Sequence, residues 1–483
     1  MKIRKICVRT TAALGLVLAA VLRIGSNLLS DSSRNLESFY GSSFRCVGDL
    51  NNKHLWQQRT CLFEDVCTTD GRTLIFFEQP DIALPKLSYQ GSLLTDFPKP
   101  FLGLRAAEHV NCATCTDCMK CTQPETCEPI KYGRICQSAV DFDHSMHIAI
   151  ETHFDEKPVK WVTDPAVYFA KFVPSNYGHI IGDDLLPMYS AAKMFGFDPR
   201  RTQFIALEHH SQDPYTQKWD ARLYSRLSIF PMKGMNAMLD GLKEGSKLCF
   251  KKLVVGTSGL GMKLLHGRGQ QLSELREHIV NSYPKRCSRK QRITLLSKIG
   301  RRNWINVVAV SRHLHLAFPN IEIVHLEAGN EEAYSGVTEW DKQVEIMLCT
   351  TVYVAIAGGA SFVGLFLPEG ASAILIDYFD PVRGEGGEVE PFYWNNMPWI
   401  YDIHYPVKLS NIDLESIPSR CGSAQDVSNC SHEEFYLHND VNTSTTIMAS
   451  LVYSALIRSE KSFKMGSETF DKRHALLYTD LQE

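Results

Sequence analysis

Between Asn176 and Pro187 the chain reads NYGHIIGDDLLP, which sets Asn176, His179, Asp183 and Asp184 within nine residues. An imidazole beside a carboxylate can take a proton from a hydroxyl, because the carboxylate orients the ring and raises its basicity. Asn-Tyr-Gly is a turn signal, and the run after it has helical spacing. Asp183 then stands four residues after His179 on the same helix face. The competing reading is structural, with Asn176 and His179 satisfying backbone groups at a helix start.

A second constellation is cationic. Lys298, Arg301 and Arg302 follow the end of an apolar strand-like run. A departing diphosphate must have its charge neutralised, and paired guanidinium donors do this well. A solvated basic turn is the alternative. A third is Gly358-Gly359-Ala360-Ser361, which opens a helix after a buried strand. Small residues there let a phosphate approach the backbone and meet amides at the helix start. The spacing is neither the dinucleotide fingerprint nor the P-loop, and tight strand–helix packing would also explain the glycines.

Two further patterns bear on metals. Cys112 to Cys136 has the spacing C-x2-C-x2-C-x2-C-x5-C-x8-C, which suggests zinc or iron–sulfur in a reducing compartment and disulfides in an oxidising one. Asp141-Phe142-Asp143, near His144 and His147, could hold a divalent ion, but such triplets are common by chance. A metal is possible and not expected.

The elements that must position these groups are legible from periodicity. RITLLS (292–297), IEIVHLE (321–327), VYVAIAGG (352–359) and ASAILIDY (371–378) are strand-like, and NWINVVAVSRHLHLAF, EWDKQVEIMLCT and SFVGLFLPEG between them have helical spacing. This alternation predicts a parallel sheet covered on both faces, with its ligand at the carboxyl ends of the strands. Upstream, WVTDPAVYFAKFV (161–173), FIALEH (204–209) and KLVVG (252–256) predict strands of a first α/β domain, and CLFEDVCTTDGRTLIFF (61–77) reads as a disulfide-closed turn followed by a strand. PKRCSRKQR (284–292) reads as a linker. After Tyr378 the pattern turns irregular until a helical segment at 446–459.

With 483 residues, 44% of them hydrophobic, the chain can bury two moderate cores. A net charge of −3 argues against a nucleic-acid partner. Lys2, Arg4, Lys5 and Arg9 precede an apolar run, Ala12 to Leu22, closed by Arg23. The run is shorter than the roughly 20 residues of an ordinary spanning helix. It suits a short signal anchor leaving everything after about Asn27 in the lumen, with a cleaved secretory peptide as the alternative. Fourteen of the fifteen cysteines lie beyond it, and Asn429 and Asn442 head glycosylation sequons, both in keeping with a secretory compartment.

Taken together, CLFEDVC, NYGHIIGDDLLP, LLSKIGRRNWIN, the helix carrying Gln343 and VYVAIAGGASFVGLFLPEGASAILIDY resemble glycosyltransferase family 61, which includes plant xylosyl- and arabinosyltransferases and animal protein N-acetylglucosaminyltransferases. The family pattern Asn-x-Gly-His followed by Asp falls on Asn176, Gly178, His179 and Asp183. Its Ser-Arg…Arg…Asn pattern falls on Ser297, Lys298, Arg302 and Asn306, with Lys in place of the first Arg. The family usually carries His-Gly-Ala where this chain has Gly358-Gly359-Ala360.

The resemblance implies an α/β fold of two facing Rossmann-like domains (the GT-B arrangement), an inverting mechanism, no obligatory metal, and type II anchoring in the Golgi or endoplasmic reticulum. The expected plan is a cytosolic tail and anchor (1–26), a stem (27–45), an N-terminal acceptor-side α/β domain (46–283) with a Cys-rich insertion (98–136), a C-terminal nucleotide-sugar domain (284–420), and an extension packing back (421–483). The expected activity is transfer of a hexose or pentose from a nucleotide sugar, chiefly a UDP-sugar, to a glycan or glycoprotein. Asp183, ahead of His179, is the expected base. Asn176 and Asp184 stand on the acceptor side; Lys298, Arg301, Arg302, Asn306, Gly358, Gly359, Ala360 and Ser361 hold the donor. The rival expectation, motivated by the missing histidine, is an inactive carbohydrate-binding scaffold.

Overall fold

The computed structural model describes residues 42–47, 60–77, 102–103, 145–151, 159–171, 177–207, 220–257, 260, 269–283, 287, 291–298, 303–328, 340–380, 385–387, 391–408 and 440–465. The expected anchor and most of the stem, the Cys-rich insertion from 104 on, the Asp141–Asp143 triplet, Asn176, Arg301, Arg302 and Asn429 lie outside the described residues. Among the described residues no helix is long and apolar enough to cross a membrane.

The described strands form two sheets. The first comprises β1 (Ser43–Val47), β2 (Thr60–Thr68), β3 (Thr73–Phe77), β4 (Leu102–Gly103), β5 (Ser145–Glu151), β6 (Val159–Val162), β7 (Ala166–Phe169), β8 (Gln203–Ala206), β9 (Lys233–Gly234) and β10 (Lys247–Val255). Its order is β4-β5-β3-β2-β10-β7-β8-β9. The long β10 is its spine, parallel to β6 along its first half and to β7 along its second, and antiparallel to β2 on its other edge. The 161–173 run divides at Asp164-Pro165 into β6 and β7, since proline has no amide to give a central ladder.

CLFEDVC is not a disulfide-closed turn. It is the interior of β2, where Cys61 faces and bonds Cys46 while Cys67 faces and bonds Cys249. The six residue steps along a strand from Cys61 to Cys67 span about 20 Å, several times the reach of a disulfide.

The second sheet comprises β11 (Arg292–Lys298), β12 (Glu322–Ala328), β13 (Val352–Ile356), β14 (Ser372–Asp380), β15 (Glu385–Gly387) and β16 (Tyr401–Lys408). Its parallel order is β12-β11-β13-β14-β16, with β15 antiparallel at the end of β14. β16 lies in the stretch that reads as irregular. Its inward residues Ile403, Tyr405 and Val407 do alternate, but polar neighbours and Pro406 mask the signal.

Five helices matter for the site. α1 (177–194) runs as an α-turn Tyr177–His179, a π-helical stretch Ile180–Leu185 and a regular α-helix Leu186–Met194. The others are α2 (Gly269–Val280), α3 (Val307–Ala317), α4 (Trp340–Leu348) and α5 (Thr445–Met465), and a 3₁₀ helix spans Gly359–Phe366. α3 and α5 bury Val310, Leu314, Met448 and Val452 against one face of the second sheet. On its other face, Tyr353, Ala355 and Leu375 join a core that runs through the 3₁₀ helix, α4, α2 and α1 to Val167, Phe169 and Phe204 of the first sheet. The two sheets thus share one apolar interior. A disulfide between Cys287 and Cys349 fastens the basic connection between the sheets to the residue just after α4.

Candidate active site

Within the second sheet, the chain leaves β11 for β12 on one side and returns to β13 on the other. In open parallel sheets such a reversal of strand order, here past the carboxyl ends of β11 and β13, marks where the crevice that holds ligands forms. Lys298 ends β11 and is half-buried there. Gly358 follows β13 by two residues.

Gly358 has φ 136 and ψ −178, a backbone region that essentially only glycine occupies. The turn is locked by Ser361. Its hydroxyl accepts from the Gly358 amide at 3.2 Å and donates to the Gly358 carbonyl at 2.7 Å, and its own amide donates to that carbonyl at 2.8 Å. Ser361 is wholly buried, so it shapes the turn and does not line the crevice. Gly359 and Ala360 are the two that keep exposed surface.

The first turn of α1 packs against the 3₁₀ helix that Gly359 opens, so the 176–187 motif and the glycine turn come together from positions some 180 residues apart. His179 Nδ1 lies 2.7 Å from Asp183 Oδ2, as the i,i+4 spacing predicts. The His179 side chain is 25% exposed and that of Asp183 9%, so the imidazole is the outer member of the pair.

Asp184 is fully buried and accepts a hydrogen bond from the Tyr224 hydroxyl at 2.8 Å. This removes it from the surface an acceptor could reach, because on a π-helical turn consecutive side chains point different ways. Asn306 likewise turns inward. Its side chain donates to the Thr443 carbonyl at 2.6 Å and accepts from the Thr443 amide at 3.1 Å, pinning the start of α3 to the segment before α5. Asn442, beside Thr443, is exposed.

Other polar pairs near the strand ends have no signature in the sequence. Ser297 Oγ lies 2.7 Å from His325 Nε2, and burial pushes that imidazole's pKa down. His404 Nδ1 lies 2.5 Å from Asp377 Oδ2, joining β16 to β14. Tyr224 is equally silent, forty residues from its partner in a stretch without a motif. Only register and packing bring these partners together.

The arrangement has a chemistry. A partly exposed imidazole backed by a carboxylate sits on a helical turn that packs against the 3₁₀ helix after the glycine turn, and such a pair can accept a proton. In sequence, the chain is similar to protein O-linked-mannose β-1,4-N-acetylglucosaminyltransferase 2 of Xenopus laevis, 24% identical over 276 residues, or 52% of this chain and 46% of the relative. The same-named protein of Xenopus tropicalis is 24% identical over 273 residues with the same coverage. The chain thus spans about half the length of the curated relatives it matches. No family model matches the chain.

Proposed function

We propose that this chain is a glycosyltransferase that inverts the anomeric centre of a nucleotide sugar, working in the lumen of the endoplasmic reticulum or Golgi behind an N-terminal anchor. The observation that carries the reading is the packing of the turn bearing His179, itself paired with Asp183, against the 3₁₀ helix that Gly359 opens past the carboxyl end of β13. The transferase names of the two relatives support it. So does the α/β layering around the crevice, which suits the GT-B arrangement of two facing lobes.

In this reading the acceptor hydroxyl gives its proton to His179 Nε2, and Asp183 holds the ring through Nδ1. The greater exposure of His179 favours it over Asp183 as the base, reversing the expectation from sequence. The acceptor oxygen attacks the anomeric carbon from the face opposite the diphosphate. The bond to the phosphate oxygen breaks, and its electron pair leaves with the diphosphate. Lys298, Arg301 and Arg302, with the backbone at Gly359 and Ala360, neutralise that charge in place of an obligatory metal. By analogy with the relatives, the donor is UDP-N-acetylglucosamine and the acceptor a mannose linked to protein.

The test is an assay of the purified lumenal part with a panel of UDP-sugars and O-mannosyl peptides. Nucleotide diphosphate release matched by product mass is the expected result. Donor binding without release across the panel would favour the scaffold reading, for which the replacement of the family histidine by Gly358 speaks.

A further inference from the structure

We propose that Tyr224 is a positioning residue for this site, acting through Asp184 to set the turn that aims His179. The inference rests on the function proposed above and deepens it. Tyr224 is 4% exposed and belongs to the shared core, so it does not touch substrate. Its hydroxyl donates to Asp184 Oδ2 at 2.8 Å, and Asp184 neighbours the carboxylate that holds His179.

The backbone at both ends of that bond is unusual. Asp184 lies within the π-helical stretch Ile180–Leu185, and Tyr224 ends a second one, Asp220–Tyr224. A π-helical turn carries an extra residue relative to an α-turn and shifts the register of the side chains on either side of it. Such turns are uncommon, concentrate at functional sites and need a local cause to persist. Here the cause is a buried carboxylate that must be met from another element. Asp184 held at the back of the turn leaves Asp183 and His179 on its front. Lys171 Nζ sits 5.0 Å from the centroid of the Tyr224 ring and steadies it by a cation–π contact.

Tyr224→Phe keeps the ring, its packing and the Lys171 contact and deletes only the donor. The turn then relaxes and the imidazole loses its aim, a kind of displacement that costs on the order of 10²-fold in rate when it reaches about 1 Å. The expected result is a fall in kcat of about 10- to 100-fold with donor KM unchanged, a displaced midpoint on the acid limb of the pH–rate profile, and a nearly unchanged melting temperature. Asp184→Ala should reproduce the kinetic effect and add nothing in the Tyr224→Phe background.

Imidazole nitrogen signals from histidine-labelled protein, assigned with His179→Gln, give a second readout. Those of His179 move in Tyr224→Phe. Wild-type kcat in Tyr224→Phe, or unmoved His179 signals, would overturn the proposal. Absence of turnover in the wild type would instead sink the transferase reading, and the His179 signals would still decide the role of Tyr224.

Discussion

The hydroxyl of Tyr283 donates to Asp341 Oδ1 at 2.7 Å, while the Arg226 guanidinium lies 4.8 Å from the Tyr283 ring centroid with its Nη2 3.4 Å from the same carboxylate oxygen. Arg226 follows the second π-helical stretch, Tyr283 follows α2 and Asp341 opens α4, so one cluster ties the helices of both sheets across the shared core. Burial and the adjacent carboxylate push the Tyr283 hydroxyl pKa up, so it stays a donor at any physiological pH.

Asp341→Ala should therefore lower stability by about 1–2 kcal/mol, at the low end for a hydrogen bond to a charged group, because Asp341 is itself part-exposed and its ion pair adds little. Asp341→Asn, which can still accept from Tyr283, should lose less. Urea denaturation curves of the two variants check the order.

At the candidate base the prediction is also one of order. General-base removal typically costs about 10²–10⁴-fold. His179→Ala should lose that much turnover, and Asp183→Asn should lose less while keeping some proton transfer. The opposite ranking in kcat would return the role of base to Asp183.

Gly358→Ala forces a side chain into a backbone region with φ 136. Strain of this kind costs of order 1–3 kcal/mol, so the melting temperature should fall measurably. An unchanged melting temperature would mean that the turn relaxes freely and is not held by Ser361.

Cys67 and Cys249 are joined across 182 residues of chain. Loop closure of that length is worth about 5 kcal/mol in the chain-entropy account, so Cys67→Ala with Cys249→Ala should sharply reduce resistance to denaturant. Cys46 with Cys61 spans 15 residues, and its removal should cost about 3 kcal/mol.

Stability should fall on the acid side of neutrality. Burial pushes the pKa values of His278 and His325 below the ordinary imidazole value, against which the Leu227 carbonyl partly restores His278. The unfolded chain then binds more protons than the folded one as pH drops through about 6.5, so stability is fully present above that range and declines below it. Thermal melts at about pH 5.5 and 7.5 should show the decline, and His325→Asn should flatten it.

By themselves, the residues determined the local grammar. The strands at 292, 322, 352 and 372, the helices between them and the His179–Asp183 spacing follow from side-chain period alone, because a helix or strand must bury one face and local geometry fixes which residues share it. Tertiary structure decided the partners. β16 joins a sheet whose pattern hides it, Cys61 and Cys67 bond different strands, Asp184 turns inward to Tyr224, and Asn306 is taken up by Thr443. Each of these depends on which distant segment lies opposite, and that is set by how the two sheets bury their inner faces in a common core, a property of no single stretch of chain.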